Sequence, residues 1–351
     1  MDNTKYMITE EYTVIQVLER LDEVTPKVLF VVRDNKLCAT VTDGDVRRAI
    51  LGKAPLTASV RDIANYAPHY VKQGDEKLGV QLLEEKQLLA IPIVNEQFEI
   101  VGICKKENVI KKKEQGLLEV PVVIMAGGLG TRLYPYTRVL PKPLIPVGEI
   151  PISERIIQSF RDTGCKNIYM IVNYKKNMIK SYYNDLDCNY NLHFIDENEP
   201  RGTGGGLYFL KNLIDSTFIL TNCDILILED VGKIVTHHNK EKNKVTMVCS
   251  LKNFEIPYGV VNFTEGGEIS SFDEKPQMSY FTNTGYYILE KEVFDYIGEN
   301  ERIGMPDIIE RMKDAGEKVG IFPIGENSWL DMGQFDTMES MERKLKEFNL
   351  Y

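Results

Sequence analysis

Glycines, two arginines and a lysine crowd one short stretch of this chain, "MAGGLGTRLYPYTRVLPKPLIPVG", residues 125–148. Gly127, Gly128 and Gly130 lack the Cβ that would obstruct backbone N–H groups turning inward onto an anion. Arg132 adds a planar fork suited to two phosphate oxygens, and Lys142 adds a point charge. Prolines at 141, 143 and 146 stiffen the backbone around Lys142, so its ammonium is held rather than free in solvent. The chemistry that suits these residues is the capture of a phosphorylated small molecule. The stretch contains neither G-x-x-x-x-G-K-[ST] nor G-x-G-x-x-G, so neither a P-loop nor a dinucleotide site is expected.

Such residues need a rigid support. The run "VPVVIMA" just before them, residues 120–126, is apolar and β-branched and has the length of a strand. Downstream, "ISERIIQSFRDTGC" reads as an amphipathic helix, "NIYMIV" as a strand, "KKNMIKSYYNDL" as a helix and "NLHFI" as a strand. "GGLYFLKNLI" is expected to be helical, and "TFILTNCDIL" to be a strand running into a polar end at Asp224. Alternation of this kind predicts an α/β domain with a largely parallel sheet, whose ligands lie outside the carboxyl ends of the strands. The glycine stretch and Asp224 both fall at such ends.

The net charge is −10, from 42 basic and 52 acidic residues, which disfavours a nucleic-acid surface but allows a local basic pocket. Apolar runs such as "VLFVV" are far too short to span a membrane. The start "MDNTKYMITEEYT" has no basic, apolar signal pattern, so a cytoplasmic protein is expected. Cys38, Cys104, Cys165, Cys188, Cys223 and Cys249 are scattered without paired metal spacing, which predicts reduced thiols. The basic run from Lys111 reads as a solvated linker. His237 and His238, in "IVTHHNKEKNK", read as a helix end rather than a metal site.

Taken whole, G-G-x-G-T-R-L-x-P followed by P-K-P resembles the signature of the sugar-1-phosphate nucleotidyltransferases, and the resemblance covers most of residues 120–351. It implies a Rossmann-like, mixed but largely parallel sheet. It also implies that Gly127, Gly128, Gly130 and Thr131 hold the nucleotide, with Gly202, Thr203 and Gly204 of "ENEPRGTGGGL" against the base. "TNCDIL" and "WLDMG" would supply metal-binding aspartates, Asp224 and Asp331, for Mg²⁺. "YGVVNF" would place Gly259 near the sugar, "FDEKP" would supply Glu274 and Lys275 for the sugar and its phosphate, and "FTNTGYYIL" would supply Asn283 and Thr284.

The implied reaction is attack by a sugar 1-phosphate on the α-phosphorus of a nucleoside triphosphate, with Arg132, Lys142, Asp224 and Lys275 as the catalytic charges. The attacking phosphate is already anionic, so no general base is needed, and the four histidines lie outside every motif. By resemblance the base is guanine and the sugar a hexosamine, mannose or heptose. Uridylyl-, thymidylyl- and cytidylyltransferases share the framework and stay open as alternatives. So does a nucleotide-sensing regulator that binds without turnover.

The first third differs in texture. "VLFVVRDNKLCATVTDGDVRRAI" is answered by "AIPIVNEQFEIVGICKKENVI", each reading as strand, turn, strand, loop and helix start, with 63 residues from Asp45 to Asn108. "TVTDGDVRRAIL" resembles a tandem CBS-domain pair, a βαββα repeat. This predicts a module over residues 1–116, divided near residue 60, and a transferase domain over 117–351 with the boundary near Gly116. The resemblance implies that Thr42 and Asp45 contact an adenine nucleotide; the second repeat carries Lys105 and Asn108 instead. It also implies a homodimer or higher homo-oligomer, and a pair of packing modules that only dimerises, without a ligand, stays open as the alternative.

Overall fold

The computed structural model describes residues 3–86, 88–105, 118–186, 190–333 and 335–347. The expectations placed on Asn108, the run from Lys111, Gly116 and Cys188 lie outside these residues. By internal contacts the chain divides into two compact units, 1–113 with 325–327, and 114–324 with 328–351.

In the first unit, strand Met7–Thr9, helix Val14–Asp22, and strands Val28–Arg33 and Lys36–Thr42 are followed by helix Asp43–Leu51. Strand Met7–Thr9 lies parallel to Val28–Arg33, which pairs antiparallel with Lys36–Thr42. The tight link between the last two strands passes through Asp34 and Asn35, both left-handed, as a two-residue hairpin turn requires. The same plan recurs. Strand Val71–Lys72, helix Glu76–Glu85 and strands Ala90–Val94 and Ile100–Lys105 repeat the parallel-then-antiparallel pairing. Both hairpins even carry a register shift at the equivalent place, Val31/Val32 and Ile93/Val94.

The second unit is built on a seven-stranded sheet. Its order is Asn191–Asp196, Asn167–Val172, Val122–Met125, Phe218–Asn222, Gln277–Leu289, Val245–Glu255, Val319–Ile324. Neighbours pair in parallel except on either side of Gln277–Leu289, which runs antiparallel to both of its partners. Alternation along strand Val122–Met125 sends Val122 and Ile124 into one core and Val123 into another. Helices Ile152–Arg161, Lys176–Asn184 and Val231–Glu241 contribute to the first core, and helix Met305–Asp314 to the second. The sheet is thus sandwiched, as a strand buried on both faces demands.

One expected element differs. "GGLYFLKNLI" is not a continuous α-helix: a single α turn, Gly202–Gly205, passes into the 3₁₀ segment Gly206–Leu210. Successive glycines weaken an α-helix, and here close packing rather than propensity sets the path. A Cβ on Gly204 would stand 2.4 Å from Ile308 Cδ1, and one on Gly205 would stand 2.4 Å from the Glu301 carbonyl. Among the described residues no helix is long and apolar enough to cross a membrane.

Candidate active site

Strand Val122–Met125 has its next sequential neighbour, Asn167–Val172, on one side and the later strand Phe218–Asn222 on the other. The strand order therefore reverses at this point, and a crevice opens beyond its carboxyl end. The glycine stretch leaves the sheet there. Gly130 is left-handed with φ 65°, and a Cβ on it would stand 2.7 Å from Thr137 Cγ2 and 3.2 Å from Lys142 Cβ. Glycine is required for this curl, which brings the loop onto the base of Lys142. Thr137 Oγ1 closes the curl by donating to the Gly130 carbonyl at 3.0 Å. Around Gly128, by contrast, a Cβ would meet nothing within 4 Å, so that part of the loop faces open space. Thr131 opens the 3₁₀ turn Thr131–Leu133.

Lys142 is buried and ion-paired through Nζ to Asp224 Oδ2. Asp224 follows the end of strand Phe218–Asn222, and the chain then enters a second, two-stranded ladder. In it Ile225–Ile227 pairs antiparallel with Trp329–Asp331, Ile225 standing opposite Asp331. Met332 N donates to the Asp224 carbonyl at 2.9 Å, which locks the register. Two carboxylates far apart in sequence are thereby set side by side. Burial, and then the negative charge of Asp224, hold the Asp331 carboxyl above the usual aspartate range, while Lys142, the Gly333 amide and Arg132 oppose the shift. Cys223, next to Asp224, is a neutral thiol and no nucleophile, since burial pushes its pKa up to about 12.

Arg132, Asp224 and Asp331 line one cavity of about 310 Å³ with Thr203, Asn283 and Thr284. That volume suits a small molecule. Asn283 Nδ2 donates to Tyr287 Oη at 2.6 Å, and Thr284 Oγ1 donates to the Val248 carbonyl at 2.8 Å, so both side chains are fixed in place. Gly202 is left-handed and packs on Ile303, and Gly204 packs on Ile308, so these glycines first serve to seat the segment. Thr203 Oγ1 accepts from Met305 N at 3.1 Å. Gly259, Glu274 and Lys275 are not among the residues lining this cavity. They flank a separate ribbon, Val260–Phe263 with Ile269–Asp273, where a Cβ on Gly259 would come within 2.9 Å of Glu274 Oε2. In the first unit, Thr42 and Asp45 form a capping box on helix Asp43–Leu51, with Thr42 Oγ1 donating to Asp45 Oδ2 at 2.6 Å.

Sequence reasoning missed Glu197, Asn222, Gly285 and Trp329. All four sit inside quoted motifs, Glu197 as the first residue of "ENEPRGTGGGL", and the last three line the cavity. Gly285 is left-handed, and a Cβ there would stand 2.5 Å from Asn222 Nδ2. Glu197 is a buried carboxylate whose Oε1 accepts from Arg201 N at 3.0 Å, and its Oε2 lies 3.1 Å from where a Gly127 Cβ would be. Burial raises its pKa, with the Arg201 amide and guanidinium opposing.

The site thus joins two adjacent carboxylates, enough for a hard divalent cation whose remaining ligands come from phosphates, to a guanidinium and an ammonium that can hold those phosphates. Among the described residues no group of three or more His, Cys, Asp or Glu forms a metal cage.

Known proteins are similar to this chain. A bifunctional protein GlmU from Methanococcus aeolicus is 32% identical over 232 residues, 64% of this chain and 54% of that protein. The chain thus spans about half the length of the GlmU relatives it matches. A D-glycero-alpha-D-manno-heptose 1-phosphate guanylyltransferase from Campylobacter jejuni is 28% identical over 213 residues, 60% of this chain and 93% of that protein. Among solved structures, HddC from Yersinia pseudotuberculosis complexed with GMP-PN superimposes with a TM-score of 0.51 at 25% identity, over 64% of this chain and 99% of that one. The family model for nucleotidyl transferases matches residues 121–347, and the chain belongs to that family.

Proposed function

We propose that this chain joins a nucleoside triphosphate to a sugar 1-phosphate, forming a nucleotide sugar and pyrophosphate. The observation that carries the reading is the ladder-fixed pair Asp224 and Asp331, facing the same cavity as Arg132 with Lys142 against them. A phosphate oxygen of the sugar 1-phosphate attacks the α-phosphorus, the bond to the β-phosphate oxygen breaks, and its electron pair leaves with pyrophosphate. Asp224 and Asp331 fit Mg²⁺, which uses one or two carboxylates and completes its shell with phosphate oxygens and water. Bound there, Mg²⁺ supplies charge neutralisation at the α-phosphate.

The chain's own residues do the rest. The amides of Gly127, Gly128 and Gly130, with Thr131 and Arg132, take the charge of the departing pyrophosphate. Lys142, prepaired with Asp224, sits ready for the reacting phosphate. Gly202, Thr203 and Gly204 wall the base, Asn283 and Thr284 meet sugar hydroxyls, and the ribbon carrying Gly259, Glu274 and Lys275 holds the sugar and its phosphate.

Guanine is the proposed base. The similar HddC was solved with GMP-PN, and the similar Campylobacter protein is named as a guanylyltransferase. Glu197, whose Oε2 lies beside Gly127 of the glycine stretch, is the residue proposed to read it. A carboxylate accepts from the neighbouring N1–H and N2–H₂ of guanine, whereas uracil and thymine present carbonyls beside their single N–H. Replacing Glu197 with glutamine is expected to lower kcat/KM for GTP about tenfold or more while use of UTP or dTTP holds or rises. Equal losses for all bases would refute the assignment. The reaction itself is tested by pyrophosphate release from each triphosphate with hexosamine, mannose and heptose 1-phosphates, with and without EDTA. Release confined to GTP, one sugar and added Mg²⁺ is the expected result. Nucleotide binding without release across the panel would favour a sensor.

The first unit we read as a tandem CBS pair that binds an adenine nucleotide and adjusts the transferase. Its twice-repeated β-α-β-β plan supports this, as does the Thr42–Asp45 box at a helix start, where a ribose or phosphate can exchange for the internal bonds. AMP or ATP is expected to alter the transfer rate of the full chain, and Thr42→Ala with Asp45→Ala is expected to abolish that response. An unchanged response in the double variant would remove Thr42 and Asp45 from the role.

A further inference from the structure

The turn between strand Asn167–Val172 and helix Lys176–Asn184 belongs to no motif, yet it bonds to both ends of the glycine-rich stretch's arc and to Glu197. Asn173 Nδ2 donates to the Glu197 carbonyl at 2.6 Å. Tyr174 N donates to the Gly127 carbonyl at 3.4 Å, and Tyr174 Oη donates to the Thr137 carbonyl at 3.1 Å. Lys175 Nζ donates to the Val139 carbonyl at 2.9 Å and also to the Arg138 carbonyl. The last three acceptors are consecutive backbone carbonyls, 137 to 139, in the arc that joins Arg132 to Lys142. Thr137 in turn holds Gly130 through its hydroxyl, and Gly130 lies against Lys142.

The backbone of Lys175 adds a second, independent observation. It is left-handed, φ 51°, at the start of its helix, and its side chain makes no cap there. That conformation suits glycine or asparagine, and a side chain bearing a Cβ holds it only where surrounding contacts outweigh its cost. Here the side chain turns away from its own helix and across the signature segment, where its Nζ meets two carbonyls.

We propose that Lys175, with Tyr174, is a positioning residue that clamps residues 127–139 and thereby aims Arg132 and Lys142. The clamp itself is a statement about the fold; its effect on rate rests on the transfer reaction proposed above. A merely structural lysine and a clamping one predict opposite results for Lys175→Gly. Glycine relieves the left-handed backbone and removes both bonds. Thermal stability is therefore expected to hold or rise, while kcat falls about tenfold or more and KM for the sugar 1-phosphate stays within about twofold. Lys175→Arg, which keeps a cation able to donate to carbonyls, is expected to recover most of kcat. Backbone hydrogen exchange over residues 130–142 of the ligand-free full chain supplies a readout that does not depend on the reaction, and Lys175→Gly is expected to speed it several-fold. Wild-type exchange in Lys175→Gly would overturn the clamp. A loss of kcat that follows a loss of stability and is not restored by Lys175→Arg would also overturn it. Faster exchange in a protein that releases pyrophosphate from no substrate pair would leave the clamp standing and sink the transfer reading instead.

Discussion

Asp224→Asn is expected to slow pyrophosphate release about a thousandfold or more at saturating substrates, with no recovery at high Mg²⁺. The substitution keeps the side chain's size and removes its charge, so it deletes one of the two proposed metal ligands while preserving the pocket's shape. Loss of several kcal/mol of electrostatic stabilisation at the reacting phosphate corresponds to about that factor. The substitution also strips Lys142 of its partner. Both side chains of that pair are 11% exposed, and an ammonium left there without its counter-charge is costly. Thermal stability is therefore expected to fall as well, by about 3 kcal/mol. Activity within tenfold of wild type would refute the assignment of Asp224. Measuring melts alongside rates separates lost chemistry from lost protein.

Asp331→Asn should be equally visible in the rate, about a hundredfold or more, but with the opposite sign in stability. The Asp331 carboxyl is held above its ordinary value of 3.8 by burial first and by the charge of Asp224 second. An acid whose folded pKa is raised favours the folded state while protonated, and that contribution fades as the pH climbs through the raised value. Above that raised value the Asp331 charge costs stability. Without divalent cations, Asp331→Asn is expected to melt higher than wild type at neutral pH, and the gap should close as the pH falls towards 4. Added Mg²⁺ should stabilise wild type and leave the variant unmoved. A variant that melts lower than wild type at neutral pH in EDTA would contradict this account. The two aspartates thus differ physically: Lys142 is ion-paired to Asp224, whereas Asp331 has no such pair among the described residues and feels Lys142 and Arg132 only at longer range.

Local signals made the first half of the site readable. Glycines that permit the curl at Gly130, prolines around Lys142 and an apolar run ending in them are properties of neighbours in sequence, and the structure brings Gly130 and Lys142 into contact. The sheet was legible for the same reason, since strand and helix periods are local. Less accessible was whatever depends on pairing at long range. Only resemblance linked Asp331 to Asp224, because a three-residue strand carries no periodicity that names its partner. Glu197 went unmarked because a lone glutamate usually lies in solvent, and its burial follows from the strands and glycines around it. Helical propensity misjudged residues 202–210, where close approach to Glu301, Ile303 and Ile308 sets the path.

The ladder between Ile225–Ile227 and Trp329–Asp331 also bears on when the site comes into being. The glycine stretch, Lys142 and Asp224 are synthesised well before Asp331, yet all belong to one compact unit, and such a unit tends to fold as a whole. On the transfer reading proposed above, a chain that has not reached residue 331 holds one of the two carboxylates, and the site is complete only when strand Trp329–Asp331 docks.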